Sequence, residues 1–119
     1  MGINASVPTS LKIDDMELAS IYANAVENAI KGCEAAPLGT ERSIKIYTSY
    51  RDGKLILQVK NSCDPSVISF DIMGMPISPR EDGGVGTRSI RYVVEKHGGT
   101  WYFDIKGDIF ITSVVIAGV

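Results

Sequence analysis

Two asparagines and a lysine in the first third of the chain recur at the spacing of a helical turn. Asn24, Asn28 and Lys31 fall at i, i+4 and i+7, which places them on one stripe of a helix. Asparagine is a mediocre residue in mid-helix, so two on one stripe call for a reason. Side-chain amide oxygens are neutral hard ligands of the kind Mg²⁺ accepts, and a lysine one turn further on can meet phosphate charge. A solvated polar stripe is the alternative reading of the same three residues. A second place is Gly83-Gly84-Val85-Gly86-Thr87, which opens a helical pattern. Glycines let the backbone approach an anion closely, and a helix N-terminus offers free N–H groups and a positive dipole end. No Gly-Lys-Ser/Thr follows and no strand leads directly into it, so it is neither a Walker loop nor a dinucleotide fingerprint. The third place is Lys60-Asn61-Ser62 at a strand end. The Asn61 amide there can hydrogen-bond a base edge; the plainer alternative is a turn-forming asparagine.

These residues need elements to hold them. Leu18, Ile21, Tyr22, Ala25, Ala29 and Cys33 keep a helical period that stops before Pro37, so the spacing predicts a helix over 15–35, with Asp14 or Asp15 as its cap. Alternation predicts strands over 43–48 and 55–60, joined by a hairpin with Asp52-Gly53 at its tip. Residues 62–86 carry Pro65, Pro76 and Pro79 and four glycines. Little regular structure is expected there beyond a short strand near 67–70, and long loops of this kind are often functional. A second helix over about 85–97 ends at Gly98-Gly99, and strands follow over 100–106 and 109–117. A further short strand is read at 10–13. Strands and helices do not alternate as βαβ units. The expected class is therefore α+β: a two-layer α/β sandwich with a mixed, mostly antiparallel sheet and helices on one face.

Composition narrows the function classes. The chain has 119 residues, 12 Lys and Arg, 14 Asp and Glu, and a net charge of −2. That length suits one domain, read as 1–119, and that balance carries no basic footprint for nucleic acid or a membrane surface. One histidine and two cysteines cannot build the usual zinc site. Cys33 and Cys63 read as reduced, small core residues of a cytoplasmic protein. The longest apolar runs are about six residues, too short to cross a bilayer. Met1-Gly2-Ile3-Asn4 has no basic n-region or apolar h-region, so export by its own signal is not expected. His97 at a helix end, Met73, Met75 and Trp101 read as structural residues.

Taken in order, the parts resemble a known family. Ile21-Tyr22-Ala23-Asn24-Ala25-Val26-Glu27-Asn28-Ala29-Ile30-Lys31 is similar to the N box, and Asp82-Gly83-Gly84-Val85-Gly86-Thr87-Arg88-Ser89-Ile90 to the second glycine box, of the GHKL superfamily. That superfamily holds DNA gyrase, the heat-shock chaperone ATPase, histidine kinases and MutL. Val94-Glu95-Lys96-His97-Gly98-Gly99 before a hairpin fits as well. The resemblance covers about residues 10–118, and the likeness is greatest to the ATP-binding domains of Gram-positive quorum-sensing histidine kinases.

The resemblance implies a Bergerat-type ATP-binding fold that takes ATP and Mg²⁺. It makes Asn28 the Mg²⁺ ligand and puts Asn24 where hydrolysing members hold a general-base glutamate. An amide cannot take a proton from water, which suits phosphoryl transfer over hydrolysis. Lys31 and Arg80 would meet phosphate charge. Asn61 would read adenine, and Gly84, Val85, Gly86 and Thr87 would line the phosphates beneath a lid over about 62–86. The implied partner is a dimerisation domain bearing the phosphoacceptor histidine, with a response regulator downstream and no nucleic acid. The implied setting is the cytoplasmic catalytic part of a longer, membrane-bound kinase, with no membrane contact of its own and little activity alone. The sequence departs from the pattern at Asn61, where the family has aspartate, and at Thr87, where a leucine is usual. It also lacks a clear threonine near the start of the last strand. Two other readings stay open: a degenerate interaction module, and an anti-sigma-type serine kinase, against which Asn24 argues.

Overall fold

The computed structural model describes residues 2–6, 15–77 and 85–117. Its main sheet is five-stranded, in the order β1-β2-β3-β7-β6. The strands are β1 (Gly2–Ser6), β2 (Ile44–Arg51), β3 (Lys54–Ser62), β6 (Thr100–Lys106) and β7 (Ile109–Ala117). Only β1 and β2 run parallel; β2–β3, β3–β7 and β6–β7 are antiparallel. Two helices, α1 (Asp15–Ala35) and α2 (Val85–Lys96), cover one face. This is the mixed, mostly antiparallel α/β sandwich that the patterns indicate.

The core follows from the two periodicities. Ile21, Ala25 and Ala29 of α1, at i, i+4 and i+8, and Ile90, Val93 and Val94 of α2 pack on Ile46, Leu55, Leu57, Val59, Val114 and Ile116 of the sheet. Strand residues of one parity point inward, as period-2 side chains must. One polar pair caught in this layer is satisfied internally: the Tyr22 and Thr48 hydroxyls lie 2.6 Å apart, and Thr48 is only 1 % exposed. Asp52 (φ 54°) and Gly53 (φ 73°) join β2 to β3, the two positive φ values of a type I′ turn that matches strand twist.

The outer ends of the helices are closed with care. Gly98 (φ 69°) ends α2. The Gly99 N–H donates to Val94 O at 2.9 Å and the Gly98 N–H to Glu95 O at 3.0 Å, the two bonds of a Schellman cap. Glu17 on α1 receives Lys96 Nζ at 2.8 Å and lies 3.0 Å from His97 Nε2, so the start of α1 is clamped to the end of α2. His97 thus has the structural role expected of it. Arg91 lies over the Trp101 ring at 5.2 Å, and both donate to Glu95, which ties α2 to β6.

Residues 63–77 hold more structure than their proline and glycine content suggests. A 3₁₀ turn, Pro65–Val67, is capped by Asp64, whose carboxylate accepts from the Ser66 N–H at 3.0 Å. The small strands β4 (Ser69–Phe70) and β5 (Pro76–Ile77) pair across a turn, where Asp71 Oδ1 accepts from the N–H groups of Met73 and Met75, each at 2.9 Å. Side-chain acceptors here do what a longer ladder would do elsewhere. Buried Cys63 and Met75 pack this segment on Phe103 and Phe110 in a second core cluster. The strand expected near 67–70 is present as β4. The strand read at 10–13 and the cap Asp14 lie outside the described residues, and β1 was not anticipated. No helix among the described residues is long and apolar enough to cross a membrane, and no group of three or more His, Cys, Asp or Glu among them is placed to hold a metal.

Candidate nucleotide site

The site is organised along α1. Asn24, Asn28 and Gly32 follow one another at four-residue steps, each about 6 Å further along the axis. At the end of this row α1 meets the end of β3. Gly32 has no Cβ, and one built there would collide with Asn61 Nδ2 and stand 3.3 Å from Ser62 O. The helix therefore rests directly on the Asn61 amide.

Asn61 is 1 % exposed. Its Nδ2 donates to Ser62 O at 2.9 Å, while its Oδ1 is buried and has no hydrogen-bond partner. The Thr112 hydroxyl on β7 is in the same condition, in a residue also 1 % exposed. Val59 is paired with Thr112 and Asn61 with Phe110. Asn61 and Thr112 are thus diagonal neighbours on the core face, about 7 Å apart by the geometry of an antiparallel pair. A buried polar atom without a partner costs about 1–3 kcal/mol, and such atoms are rare enough in folded proteins to need a reason. Two of them together mark a place where a polar ligand edge or an ordered water belongs.

The other polar groups on α1 differ in their freedom. Asn24 Nδ2 donates to Ser20 O at 2.9 Å and to Ser20 Oγ at 3.2 Å, which leaves the Asn24 carbonyl oxygen facing elsewhere. Lys31 Nζ lies 3.2 Å from the Glu27 carboxylate, so its charge is partly met within its own helix. Half-buried Asn28 lies between Asn24 and the Asn61 contact.

The clamp at Glu17 sets the second wall. Because the start of α1 is held to the end of α2, the helices run antiparallel. From Glu17 to Asn28 and from Lys96 back to Val85 are both eleven residues, about 16 Å of helix. The N-terminus of α2, with its positive dipole end, therefore lies at the opposite end of that helix from the Glu17 clamp. Val85 and Gly86 form its first residues and Thr87 is buried at 2 % exposure. Arg80 and Gly84 lie outside the described residues. A separate open groove of about 560 Å³ between the helices, lined by Met16, Ser20, Arg88 and Tyr92 among others, includes none of the site residues among those described.

Cys63, next to Ser62, is no nucleophile. Burial first, then the nearby Asp108 and Asp64 carboxylates and Cys33, push its thiol up to about 11, so it stays protonated at neutral pH.

Two members of this constellation escape a reading of residue types, and each leaves a trace in the sequence. Gly32 stands inside a strong helical pattern, where glycine costs about 0.5–1 kcal/mol relative to alanine. Thr112 falls on the parity of Phe110, Val114 and Ile116, a polar residue on the core face of its strand.

Solved proteins share this fold. The catalytic domain of histidine kinase ThkA superposes with a TM-score of 0.73 at 19% identity, covering 98% of this chain and 78% of that one. The mycobacterial sensor histidine kinase MprB gives 0.68 at 19% identity, covering 98% and 79%. Full-length ShkA, solved in complex with AMPPNP, gives 0.66 at 20% identity, covering 98% of this chain and 25% of that one. No curated protein sequence matches significantly. At such identities the structural likeness speaks for the fold. A family model described as the GHKL domain matches residues 13–117, a span that holds α1, the Asn61 strand end and the whole of α2, and on that match the chain belongs to the GHKL family.

Proposed function

We propose that the chain binds Mg-ATP and donates the γ-phosphoryl group to a histidine on a separate dimerisation domain, as the catalytic part of a sensor kinase. One observation carries this reading: the row Asn24–Asn28–Gly32 runs along α1 onto an amide whose carbonyl oxygen is buried and unpartnered. GHKL membership supports it, as does the AMPPNP complex of ShkA. The donor set fits the ligand. A neutral acceptor at the buried end suits the exocyclic amine of adenine, and amide oxygens and helix N–H groups further along suit Mg²⁺ and phosphate.

Bound Mg²⁺ supplies neutralisation of phosphate charge. Asn28 offers the ligating amide oxygen. Asn24 offers a second amide and no base: its nitrogen is committed to Ser20, and a neutral amide does not deprotonate water. The site therefore favours positioning for transfer to a nucleophile that needs no activation, such as neutral imidazole. Lys31, Arg80, Gly84, Val85, Gly86 and Thr87 hold the phosphates in this reading. The quorum-sensing branch, with its response regulator, is the proposed context.

Titration of the purified protein with ATP, with and without Mg²⁺, tests it. Mg²⁺-dependent binding is expected, and Asn28→Ala abolishes the Mg²⁺ dependence while the fold melts as wild type. The absence of detectable binding at millimolar ATP refutes the proposal.

A further inference from the structure

The Asn61 amide has two ends, and only one is free. A carbonyl accepts hydrogen bonds and donates none, so the end facing Ser62 O must be Nδ2. The opposite orientation would press Oδ1 against Ser62 O, two acceptors together. Ser62 is itself held on three sides. Its N–H donates to Ser43 O at 3.0 Å, its Oγ accepts from the Ser43 N–H at 2.8 Å, and the same Oγ donates to Glu41 O at 2.8 Å. Ser62 is wholly buried. Gly32 supplies the clearance: with any Cβ there, the helix would displace the amide nitrogen from its place against Ser62 O.

We propose that Gly32 and Ser62 are positioning residues that lock the Asn61 amide with its carbonyl oxygen toward the ligand. The site then selects a nucleobase that presents an exocyclic amine and rejects one that presents a carbonyl there. This rests on the nucleotide-binding reading above. It has a second consequence. Aspartate, the residue of the wider GHKL pattern, cannot replace Asn61 here, because one carboxylate oxygen would face the fixed Ser62 carbonyl. Asn61 is half of a donor–acceptor device and not a weakened aspartate.

Inosine triphosphate is the probe, since it differs from ATP in carrying a carbonyl where adenine has its amine. The wild-type protein is expected to bind Mg-ATP about ten- to a hundred-fold more tightly than Mg-ITP, the loss that follows from leaving one buried acceptor unpaired. Equal affinities overturn the proposal. Asn61→Asp is expected to melt below wild type without nucleotide and to bind ATP more weakly. An unchanged melt with equal or tighter ATP binding overturns it. Gly32→Ala is expected to narrow the ATP-to-ITP ratio toward one, which general loosening of the site would not do. An unchanged ratio in the folded variant removes Gly32 from the device. The wild-type comparison and Asn61→Asp decide the matter if Gly32→Ala does not fold. Failure of the wild-type protein to bind either nucleotide refutes the nucleotide-binding reading itself, a result distinct from all of these.

Discussion

Gly99→Ala probes how closely α2 is seated on the sheet. Gly99 ends the Schellman cap and starts the turn into β6, and its N–H donates to Val94 O at 2.9 Å. A Cβ there would overlap the Val115 carbonyl oxygen and stand 3.0 Å from Val94 Cγ1 and 3.2 Å from Ile116 Cα. Two of those three neighbours are backbone atoms of the interior strand β7, and Val94 and Ile116 are both 0 % exposed. Neither side can yield without moving the core. Forcing extra carbon into a packed interior costs about 1–3 kcal/mol. For a domain of this size each kcal/mol is worth about 3–6 °C, so the melting temperature should fall by about 3–18 °C. Gly98→Ala is the matched control. Nothing lies within 4 Å of its added Cβ, but φ is 69°, so its cost is the left-handed backbone alone, about 1 kcal/mol. Thermal unfolding followed by circular dichroism reads both. A Gly99→Ala melt within about 2 °C of wild type, or one less depressed than Gly98→Ala, refutes the claim that close approach, rather than backbone conformation, makes Gly99 necessary.

The clamp between the helices should show in acid. Hydrogen bonds from Lys96 first, and then His97, hold the Glu17 carboxyl below its ordinary value of 4.5. A carboxylate with a depressed folded pKa contributes stability that is fully present above its unfolded pKa and is lost as pH falls through the folded one. The wild-type melting temperature should therefore drop more steeply below pH 4.5 than that of Glu17→Gln, and parallel curves count against the clamp. Cys63, with its thiol pushed up to about 11 and fully buried, should resist iodoacetamide at pH 8 in the native state and react once the protein is unfolded in denaturant. Rapid labelling of the native protein contradicts the packing described for residues 63–77.

Long periodic segments were legible because burial on one face leaves a mark on every turn. The run from Leu18 to Cys33 predicted α1 to the residue, and alternation with Asp52-Gly53 predicted the β2–β3 hairpin. Two parts, β1 and the β5 side of the segment 63–77, were not legible for a common reason: their order comes from partners distant in sequence or from single side chains. β1 exists through parallel pairing with β2, some forty residues on. β4 and β5 rest on Asp64, Asp71 and the burial of Met75. At the site, Asn24, Asn28 and Asn61 stood out by residue type. Gly32 did not, because its meaning is the absence of a side chain opposite an amide, which only the packing of α1 on β3 reveals.

Where local rules are obeyed and where they are broken divides this molecule in two. At the Glu17 end, the carboxylate has two partners, the Lys96 ammonium and the His97 ring, the helix has a complete cap and the glycines sit where turns demand them. At the other end of α1, three departures meet within a few residues' reach: a glycine in mid-helix, a buried amide oxygen with no partner and a buried hydroxyl with none. The glycine costs about 0.5–1 kcal/mol and each orphaned polar atom about 1–3 kcal/mol in isolation. Random imperfection would scatter such costs over the fold. Their concentration one turn beyond Asn28 is what a site looks like when its stability is completed only by what it binds. ATP itself should therefore raise the melting temperature, and by more than a triphosphate whose base cannot donate to Asn61, because only the former removes the orphaned acceptor.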